Sequence, residues 1–287
     1  DRYVFAKRVR IWAVADGFIS KLNVATLLAF SPGPPAHWRF LVSAGDSRAV
    51  EIELQVSMPD RQNETHLTIT RLKEDPEKGQ RLASDKSFSI TVRIDIEDRI
   101  FHAETKINEE VERHFIDNIS CDSGGFIFTP SYNRQISVRT TSGVFHEEME
   151  WCRNVAHPIE ANRGHQGSGD ACSPGWFEIP MKPDEIASIV VSAEINSSMK
   201  SELVAPINAH SFSERLKDGI KAFVVKRGKG KTVIAGYPWF LDWGRDTFVA
   251  ARGLLAAGYE REVNEILKTF AGLEEHGSLP NVLNGDD

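Results

Sequence analysis

Residues Phe88 to Ile96 alternate between apolar and polar side chains more regularly than any other segment of the chain. Successive side chains of a β-strand point to opposite faces, so this alternation predicts a strand with one buried face. Val50–Val56 and His66–Leu72 show the same pattern. The first part of the chain is therefore predicted to consist of sheets that bury one face.

Other segments before Asn196 have the composition of short strands: Arg99–Lys106, Phe126–Thr129, Gln135–Arg139, Trp176–Ile179 and Ala187–Glu194. Turn-forming residues such as Asp75-Pro76 separate the strands. No helical pattern alternates with them, and this favours an antiparallel β-sandwich over a parallel α/β sheet. Val155–Pro174, which is rich in Gly, His and Ser, is predicted to be a long loop.

The pattern becomes helical in the last third of the chain. A helix is predicted from about Glu214 to Val225, and the basic segment Arg227–Lys231 is interpreted as a solvated linker. Two further helices, Thr247–Ala257 and Glu260–Leu273, are predicted to form an αα-hairpin. One hairpin cannot bury both of its apolar faces, so more helices are expected after it. Both ends of the chain look cut.

Composition narrows the possible functions. The net charge of −7 argues against a general nucleic-acid binder, which needs clustered Lys and Arg, but it is compatible with a neutral glucan. The three cysteines, Cys121, Cys152 and Cys172, cannot all pair, so a reducing compartment such as the cytoplasm is expected. No apolar run is long enough to cross a bilayer, and we expect no membrane partner.

No cofactor or metal is expected. Cys152, His157, His165 and Cys172 are the only possible metal set, and their spacing fits no common zinc pattern, in which each half of the site is a close pair. We interpret them as unliganded loop residues. The chain also has no Gly-x-Ser-x-Gly nucleophile motif.

The segment Trp239–Asp246 carries the most chemical information. Its aromatic rings stand beside Asp242, Arg245 and Asp246, just before a helix. Sugar sites use this mixture, since aromatic rings pack on the C–H faces of a pyranose while charged groups bind vicinal hydroxyls. The alternative interpretation is an Arg–Asp pair that anchors a loop, with the tryptophans in the core.

Four short motifs resemble successive signatures of the glycogen-debranching amylo-α-1,6-glucosidases. They are Gly236-Tyr-Pro-Trp-Phe, Trp243-Gly-Arg-Asp-Thr247, Arg252-Gly-Leu-Leu255 and Leu279-Pro-Asn281. Their order and spacing also match the family. The Trp-Gly-Arg-Asp-Thr block is specific, although the resemblance covers only about a sixth of the chain.

The resemblance implies a mainly β fold with α elements. An antiparallel, supersandwich-like β-sandwich (1–200) would precede a linker with a helix (201–231) and the truncated start of a catalytic (α/α)₆ barrel (232–287). It also implies an inverting glycoside hydrolase of glycogen catabolism that removes α-1,6-linked glucose at branch points. Glycogen or limit dextrin would be the partner.

In that family, the residues matching Trp243, Arg245 and Asp246 line the subsite for the non-reducing glucose, and we add Trp239 to this substrate-binding set. The general acid and base would follow Asp287, so no catalytic residue is expected within the chain. Asp246 as the general acid is the alternative, which its Arg neighbour argues against. Asp286 and Asp287 are interpreted as loop residues.

Other functions stay open at this point. A second class of (α/α)₆ hydrolase, such as a glucoamylase that cuts α-1,4 bonds or a trehalase-like enzyme, shares the Trp-x-Arg-Asp motif. The motif holds the glucose and does not report the linkage beyond it. A non-catalytic, glucan-associated β-sandwich module is the remaining alternative.

Overall fold

The computed structural model describes residues 3–59, 62–73, 79–101, 103–194, 211–237 and 240–283. The chain divides into two compact units, which are Tyr3–Ile207 and Asn208–Asp287. The larger unit is mainly β, whereas the smaller unit combines helices with a short sheet.

The larger unit has thirteen strands, two α-helices and a short 3₁₀ turn at Val24–Thr26 within its described residues. The strands are β1 (Tyr3–Ala15), β2 (Phe18–Lys21), β3 (Leu27–Ser31), β4 (Ala36–Ser43), β5 (Ala49–Ser57), β6 (Glu64–Arg71), β7 (Phe88–Ile100), β8 (Ile119–Asp122), β9 (Gly125–Ser131), β10 (Arg134–Thr140), β11 (Val144–Ala156), β12 (Ser168–Pro180) and β13 (Ile186–Ser192). The helices are α1 (Glu109–Asn118) and α2 (Pro158–Asn162).

The strands form two antiparallel sheets. The five-stranded sheet has the order β11-β12-β7-β1-β2, and the eight-stranded sheet has the order β3-β4-β5-β6-β13-β10-β9-β8. Apolar side chains of both sheets, such as Ile11 and Ile94 from the first and Ile52 and Ile189 from the second, belong to one buried cluster. Two sheets that share an apolar layer define a β-sandwich. The predicted fold class is confirmed.

The alternation in β7 corresponds to one buried face of the strand, as the sequence predicts. Phe88, Ile90, Val92, Ile94 and Ile96 are at most 4% exposed and belong to the shared apolar cluster. The strand lies at the centre of the five-stranded sheet, between β12 and β1. Because β7 has neighbours on both edges, its backbone is also paired. The most regular pattern in the sequence therefore marks a central core strand.

The prediction of a strand over Arg99–Lys106 is wrong for the described residues beyond Ile100, which are Phe101 and residues 103–106. The guanidinium of Arg99 donates to the carbonyl of Ala103 at 3.1 Å, and the N–H of Ala103 donates to the carbonyl of Ile100 at 3.1 Å. These bonds fold the chain back on itself at the end of β7. The turn leads into a loop that ends where α1 begins.

Helix α1 was not predicted, although it has a clear start signal. The side chain of Asn108 accepts a hydrogen bond from the N–H of Val111 at 2.9 Å and so caps the helix. Acidic residues fill the first turn, where they favour the positive end of the helix dipole. Phe115 is the buried residue that attaches α1 to the sandwich.

The prediction of a long loop over Val155–Pro174 is also wrong. Strand β11 continues to Ala156, α2 follows, and β12 begins at Ser168. The loop-like composition has a packing reason: a Cβ on Gly169 would lie 2.9 Å from Cε1 of His157. Glycine therefore fits this position in the strand, and even alanine would require the ring of His157 to shift.

The smaller unit comprises α3 (Phe212–Lys221), β14 (Val224–Arg227), β15 (Gly230–Gly236), β16 (Phe240–Asp242), α4 (Gly244–Ala256) and α5 (Glu260–Ala271). The strands form a three-stranded antiparallel sheet in the order β14-β15-β16. Val233 of β15, Leu254 of α4 and Ile266 and Phe270 of α5 form one buried cluster. The predicted αα-hairpin is present as α4 and α5, and it packs on a small sheet that was not predicted.

We predict that Phe128→Ala destabilises the sandwich by about 3–5 kcal/mol, because the substitution leaves a cavity. Phe128 is fully buried and stacks on Phe115 with ring centroids 4.6 Å apart. Tyr132, in the turn after the same strand, is 96% exposed, and Tyr132→Ala should change stability by at most about 0.5 kcal/mol. Urea unfolding followed by circular dichroism measures both, and equal losses would contradict this assignment of the core.

Candidate functional site

Arg227 forms an ion pair with Asp242, which lies inside the segment Trp239–Asp246, and the pair is largely shielded from solvent. Nη1 of Arg227 lies 3.2 and 3.1 Å from the two carboxylate oxygens, and the side chains are only 11% and 4% exposed. Arg227 pairs with Gly230 across the β14–β15 hairpin. The interpretation of Arg227–Lys231 as a linker is therefore wrong, because the segment closes a hairpin. Gly228 and Lys229 at its tip are exposed, whereas the side chain of Arg227 is largely shielded from solvent.

The loop that carries Leu279-Pro-Asn281 lies against the start of α4. The N–H of Gly244 donates to the carbonyl of Asn281 at 2.9 Å, and the N–H of Arg245 donates to Oδ1 of Asn281 at 3.2 Å. The first N–H groups of a helix lack partners within the helix. Asn281 thus supplies from a distance the cap that a residue just before a helix usually provides.

This arrangement needs glycine at the first position of α4. A Cβ on Gly244 would lie 2.4 Å from the carbonyl oxygen of Pro280. Trp243, the residue before Gly244, forms an antiparallel β-bridge with Val282. The motif residues around Gly244 are therefore held in place by a loop far from them in sequence.

Arg245 and Asp246 lie together in the first turn of α4. Nη2 of Arg245 is 3.4 Å from Oδ2 of Asp246, and the side chains are 71% and 40% exposed. Ion pairs this exposed are weak because water competes for both partners. Both groups therefore keep donors and acceptors available for a ligand.

A groove of about 600 Å³ has Arg245 and Asp246 in its lining. The remaining lining is apolar and comes from the end of α3, from β14 and β15, and from the exposed face of α4, including Phe223 and Val249. A groove of this size accommodates a small ligand. The apolar lining suits the C–H surface of such a ligand, and the two charged groups suit its hydroxyls.

Of the two tryptophans predicted to bind substrate, the structure describes only Trp243. Trp243 is half-buried, and its ring packs edge-to-face on Phe240 with centroids 6.2 Å apart. Trp243 is not in the lining of the groove that contains Arg245 and Asp246. Trp239, Asp286 and Asp287 lie outside the described residues. The structure therefore brings Arg245 and Asp246 together, with Trp243 next to them in the chain.

Sequence reasoning did not find the positioning roles of Arg227, Gly244 and Asn281. In the sequence, Asn281 is only the last residue of the Leu279-Pro-Asn281 motif. The signal for the hairpin was present, because apolar pairs flank Gly228–Gly230 on both sides. The partner of each residue could not be read from the sequence, since all three contacts join distant segments.

The Cys and His residues considered for a metal lie in different environments. Cys172 is in the core, where burial raises the pKa of its thiol to about 12. His157 is buried beside Glu97, and burial lowers the pKa of its imidazole, whereas His165 is exposed. Across the described ranges, no three His, Cys, Asp or Glu side chains are grouped so that they could hold a metal ion. Those ranges also contain no helix with the length and hydropathy of a membrane span.

Comparison with known families follows the two-unit division of the chain. Residues 11–187, well over half of the chain, match the family described as glycogen debranching enzyme N terminal. Residues 218–287 match the family described as amylo-alpha-1,6-glucosidase. The chain belongs to the glycogen debranching enzyme family.

Two solved structures are similar over part of the chain. A heparan sulfate lyase HepC mutant from Pedobacter heparinus aligns over 60% of this chain with 9% identity and a TM-score of 0.32. Heparinase III aligns over 58% with 13% identity and a TM-score of 0.30. This chain covers 22% and 21% of the lengths of those two proteins. TM-scores this low do not establish a shared fold.

We predict opposite effects for two glycine substitutions in α4. Gly244→Ala should destabilise the smaller unit by about 1–3 kcal/mol, because the new methyl group collides with Pro280. Gly253→Ala, whose Cβ would meet no atom within 4 Å, should stabilise the helix by up to about 1 kcal/mol. Thermal unfolding of both variants is the measurement, and a stabilised Gly244→Ala variant would refute the docked loop.

We predict that Asp242→Ala destabilises the smaller unit by about 3–5 kcal/mol, because it leaves the guanidinium of Arg227 buried without this carboxylate. Asp246→Ala is the matched control. It removes the carboxylate of an exposed Arg–Asp pair and should change stability by less than about 1 kcal/mol. Urea unfolding distinguishes the two, and similar losses would show that burial of the first pair has no consequence.

Proposed function

We propose that this chain is the β-sandwich and glucose-holding part of an inverting α-1,6-glucosidase that removes glucose from glycogen branch points. The observation that carries the proposal is the Arg245–Asp246 pair, which lies in the lining of an otherwise apolar groove. The match of residues 218–287 to amylo-alpha-1,6-glucosidase supports it. The glucan is the proposed partner.

Arg245 and Asp246 have complementary roles in this proposal. The guanidinium donates hydrogen bonds to hydroxyl oxygens of the glucose, and the carboxylate accepts hydrogen bonds from hydroxyl groups. Trp243 is not in the lining of the groove, but it is next to Arg245 and Asp246 in the chain, and we keep it in the proposed substrate-binding set as a residue at the edge of the subsite. Trp239 is kept in the set on the sequence motif alone, because it lies outside the described residues. The apolar lining contacts the C–H face of the sugar.

The proton-transfer groups of an inverting hydrolase are two carboxyl groups on opposite sides of the scissile bond. We assign neither carboxyl group to a residue of this chain. Asp246 lies 3.4 Å from the Arg245 guanidinium and in the lining of the groove, where its carboxylate can accept hydrogen bonds from glucose hydroxyls. Asp246 therefore binds glucose in this mechanism and does not protonate the leaving oxygen.

A cytoplasmic location is part of the proposal. Cys121, Cys152 and Cys172 are all free thiols. Free thiols persist in reducing compartments. Glycogen catabolism in a reducing compartment is compatible with the three free thiols.

We predict that Asp246→Asn lowers kcat/KM about 10- to 150-fold in the intact enzyme. The substitution keeps the shape of the side chain and removes charge-assisted hydrogen bonds, each contributing about 1.5–3 kcal/mol. The loss should be similar for a natural α-1,6 substrate and for α-glucosyl fluoride, because both substrates need the same grip on the glucose. The released glucose should have inverted anomeric configuration, which NMR measures directly.

Asp218→Asn is the matched control for this measurement. Asp218 is in the same unit, its side chain is 50% exposed, and it pairs with Lys221 at 3.0 Å, but it does not line the groove. Its kcat/KM should stay within about twofold of wild type. Full rescue of Asp246→Asn on the fluoride, which needs little protonation, would instead identify Asp246 as the general acid.

A further inference from the structure

A separate polar pocket of about 370 Å³ lies in the larger unit, between the end of β7, the following loop and α1. Asp98, Glu104, Thr105, Lys106 and His114 supply its polar lining. The apolar part of the lining comes from two residues on one side of α1. Nothing in the glucose-holding role of α4 uses this pocket.

Asp98 is fixed in place before any ligand arrives. Nε and Nη2 of Arg134 each lie 3.0 Å from one oxygen of the Asp98 carboxylate, in a bidentate pair. The guanidinium of Arg134 in turn lies over the ring of Tyr3, 4.2 Å from the centroid. Nε2 of His114 is 3.5 Å from the same carboxylate. The carboxylate and imidazole therefore meet at the pocket in a defined geometry.

The loop on the other side of the pocket is held by Asp170. The N–H of Asp170 donates to the carbonyl of Thr105 at 2.7 Å, and its carboxylate accepts from the N–H of Ile107 at 3.0 Å and of Asn154 at 2.8 Å. Burial alone would raise the pKa of Asp170, but these backbone hydrogen bonds hold it below its usual value. The loop that carries Glu104, Thr105 and Lys106 is consequently well anchored.

Thr105 has an unused hydroxyl. The residue is 7% exposed, and its Oγ1 is buried with no hydrogen-bond partner in the described part of the chain. Buried polar groups are nearly always hydrogen-bonded, because leaving one unpaired is unfavourable. Thr105 lines the pocket, so a rotation about its Cα–Cβ bond would bring this hydroxyl within reach of a ligand that carries hydroxyl groups.

The charges around the pocket are compensated within the protein. Asp98 is paired with Arg134, and Oε2 of Glu104 lies 3.7 Å from Nζ of Lys106. A pocket with balanced charge has little attraction for an ion. It still offers carboxylate acceptors, an ammonium donor, an imidazole and a hydroxyl, and a neutral polyol can use all of these because each of its hydroxyls both donates and accepts.

We propose that this pocket binds a glucosyl unit of an α-glucan without hydrolysing it. The volume suits one hexose ring, and Val111 and Phe115 offer an apolar surface for its C–H groups. The inference rests on the proposed function only in taking a glucan as the ligand that this protein meets. The pocket would hold glucan on the sandwich independently of the Arg245–Asp246 site.

The test is titration of the isotope-labelled 287-residue chain with maltotetraose, observed by ¹H–¹⁵N NMR. Binding should shift the amide signals of residues 104–106 and 111–115. Thr105→Val, which removes only the unpartnered hydroxyl, should weaken binding about 2- to 10-fold. Glu104→Ala, which removes a charged acceptor at a partly exposed position, should weaken it about 10-fold or more.

Thr232→Val is the matched control. Thr232 is 2% exposed and its Oγ1 also has no partner among the described residues, but it lies in β15, away from the pocket lining. Thr232→Val and Asp246→Asn should both leave the shifts at residues 104–106 and 111–115 unchanged. Parallel titrations with glucose, and gel retardation by glycogen, distinguish a free sugar from a glucan chain as the source of the glucosyl unit.

Absence of shifts at these residues at saturating maltotetraose would overturn the proposal, as would equal weakening by Thr105→Val and Thr232→Val. Shifts that disappear only in Asp246→Asn would assign the binding to the groove of the smaller unit. Hydrolysis is measured separately in the longer enzyme. Absence of hydrolysis would contradict the proposed function, and the NMR titration would still test binding at this pocket.

Discussion

Ile90 and Val92 of β7 lie between the two sheets of the sandwich with none of their surface exposed. Burial of such apolar area is the main favourable contribution to folding, about 25 cal/mol per Å². It fixes which face of the strand points inward, and alternation then forces Asp95 onto the opposite face. Asp95 is also fully buried, and it is paired with Arg8 at 2.6 Å and Arg10 at 2.8 Å. The ion pairs on that face are thus a consequence of how the core is packed.

A buried charge that needs a partner is also found at the end of β7. Glu97 is fully buried and pairs with Arg99 at 2.7 Å, and Arg99 then binds the carbonyl of Ala103. These contacts bend the chain out of the sheet and start the loop that leads to α1. The pocket proposed to bind a glucosyl unit lies beside this bend. The buried ion pair of Glu97 and Arg99 therefore lies at the point where the chain leaves the sheet, beside the pocket.

In the smaller unit the corresponding constraint is the contact between the start of α4 and the loop at Asn281. It joins residues 36 positions apart, and it leaves the side chains of Arg245 and Asp246 at the groove while their backbone is capped. Two sequence motifs that look independent along the chain therefore form one structural unit. The buried Arg227–Asp242 pair secures β14 to the strand that precedes the same helix.

The sequence by itself determined the sandwich, the αα-hairpin and the motif residues. Apolar periodicity is a local property, and burial acts on it wherever an apolar layer forms. Only the tertiary structure decided that Val155–Pro174 contains strand, that Arg227 pairs with Asp242 and that Asn281 caps α4. It alone also placed Thr105 beside a pocket with its hydroxyl unpartnered. Each of these outcomes depends on which distant group meets a polar side chain, and such meetings are set by the packing of whole sheets and helices rather than by neighbouring residues.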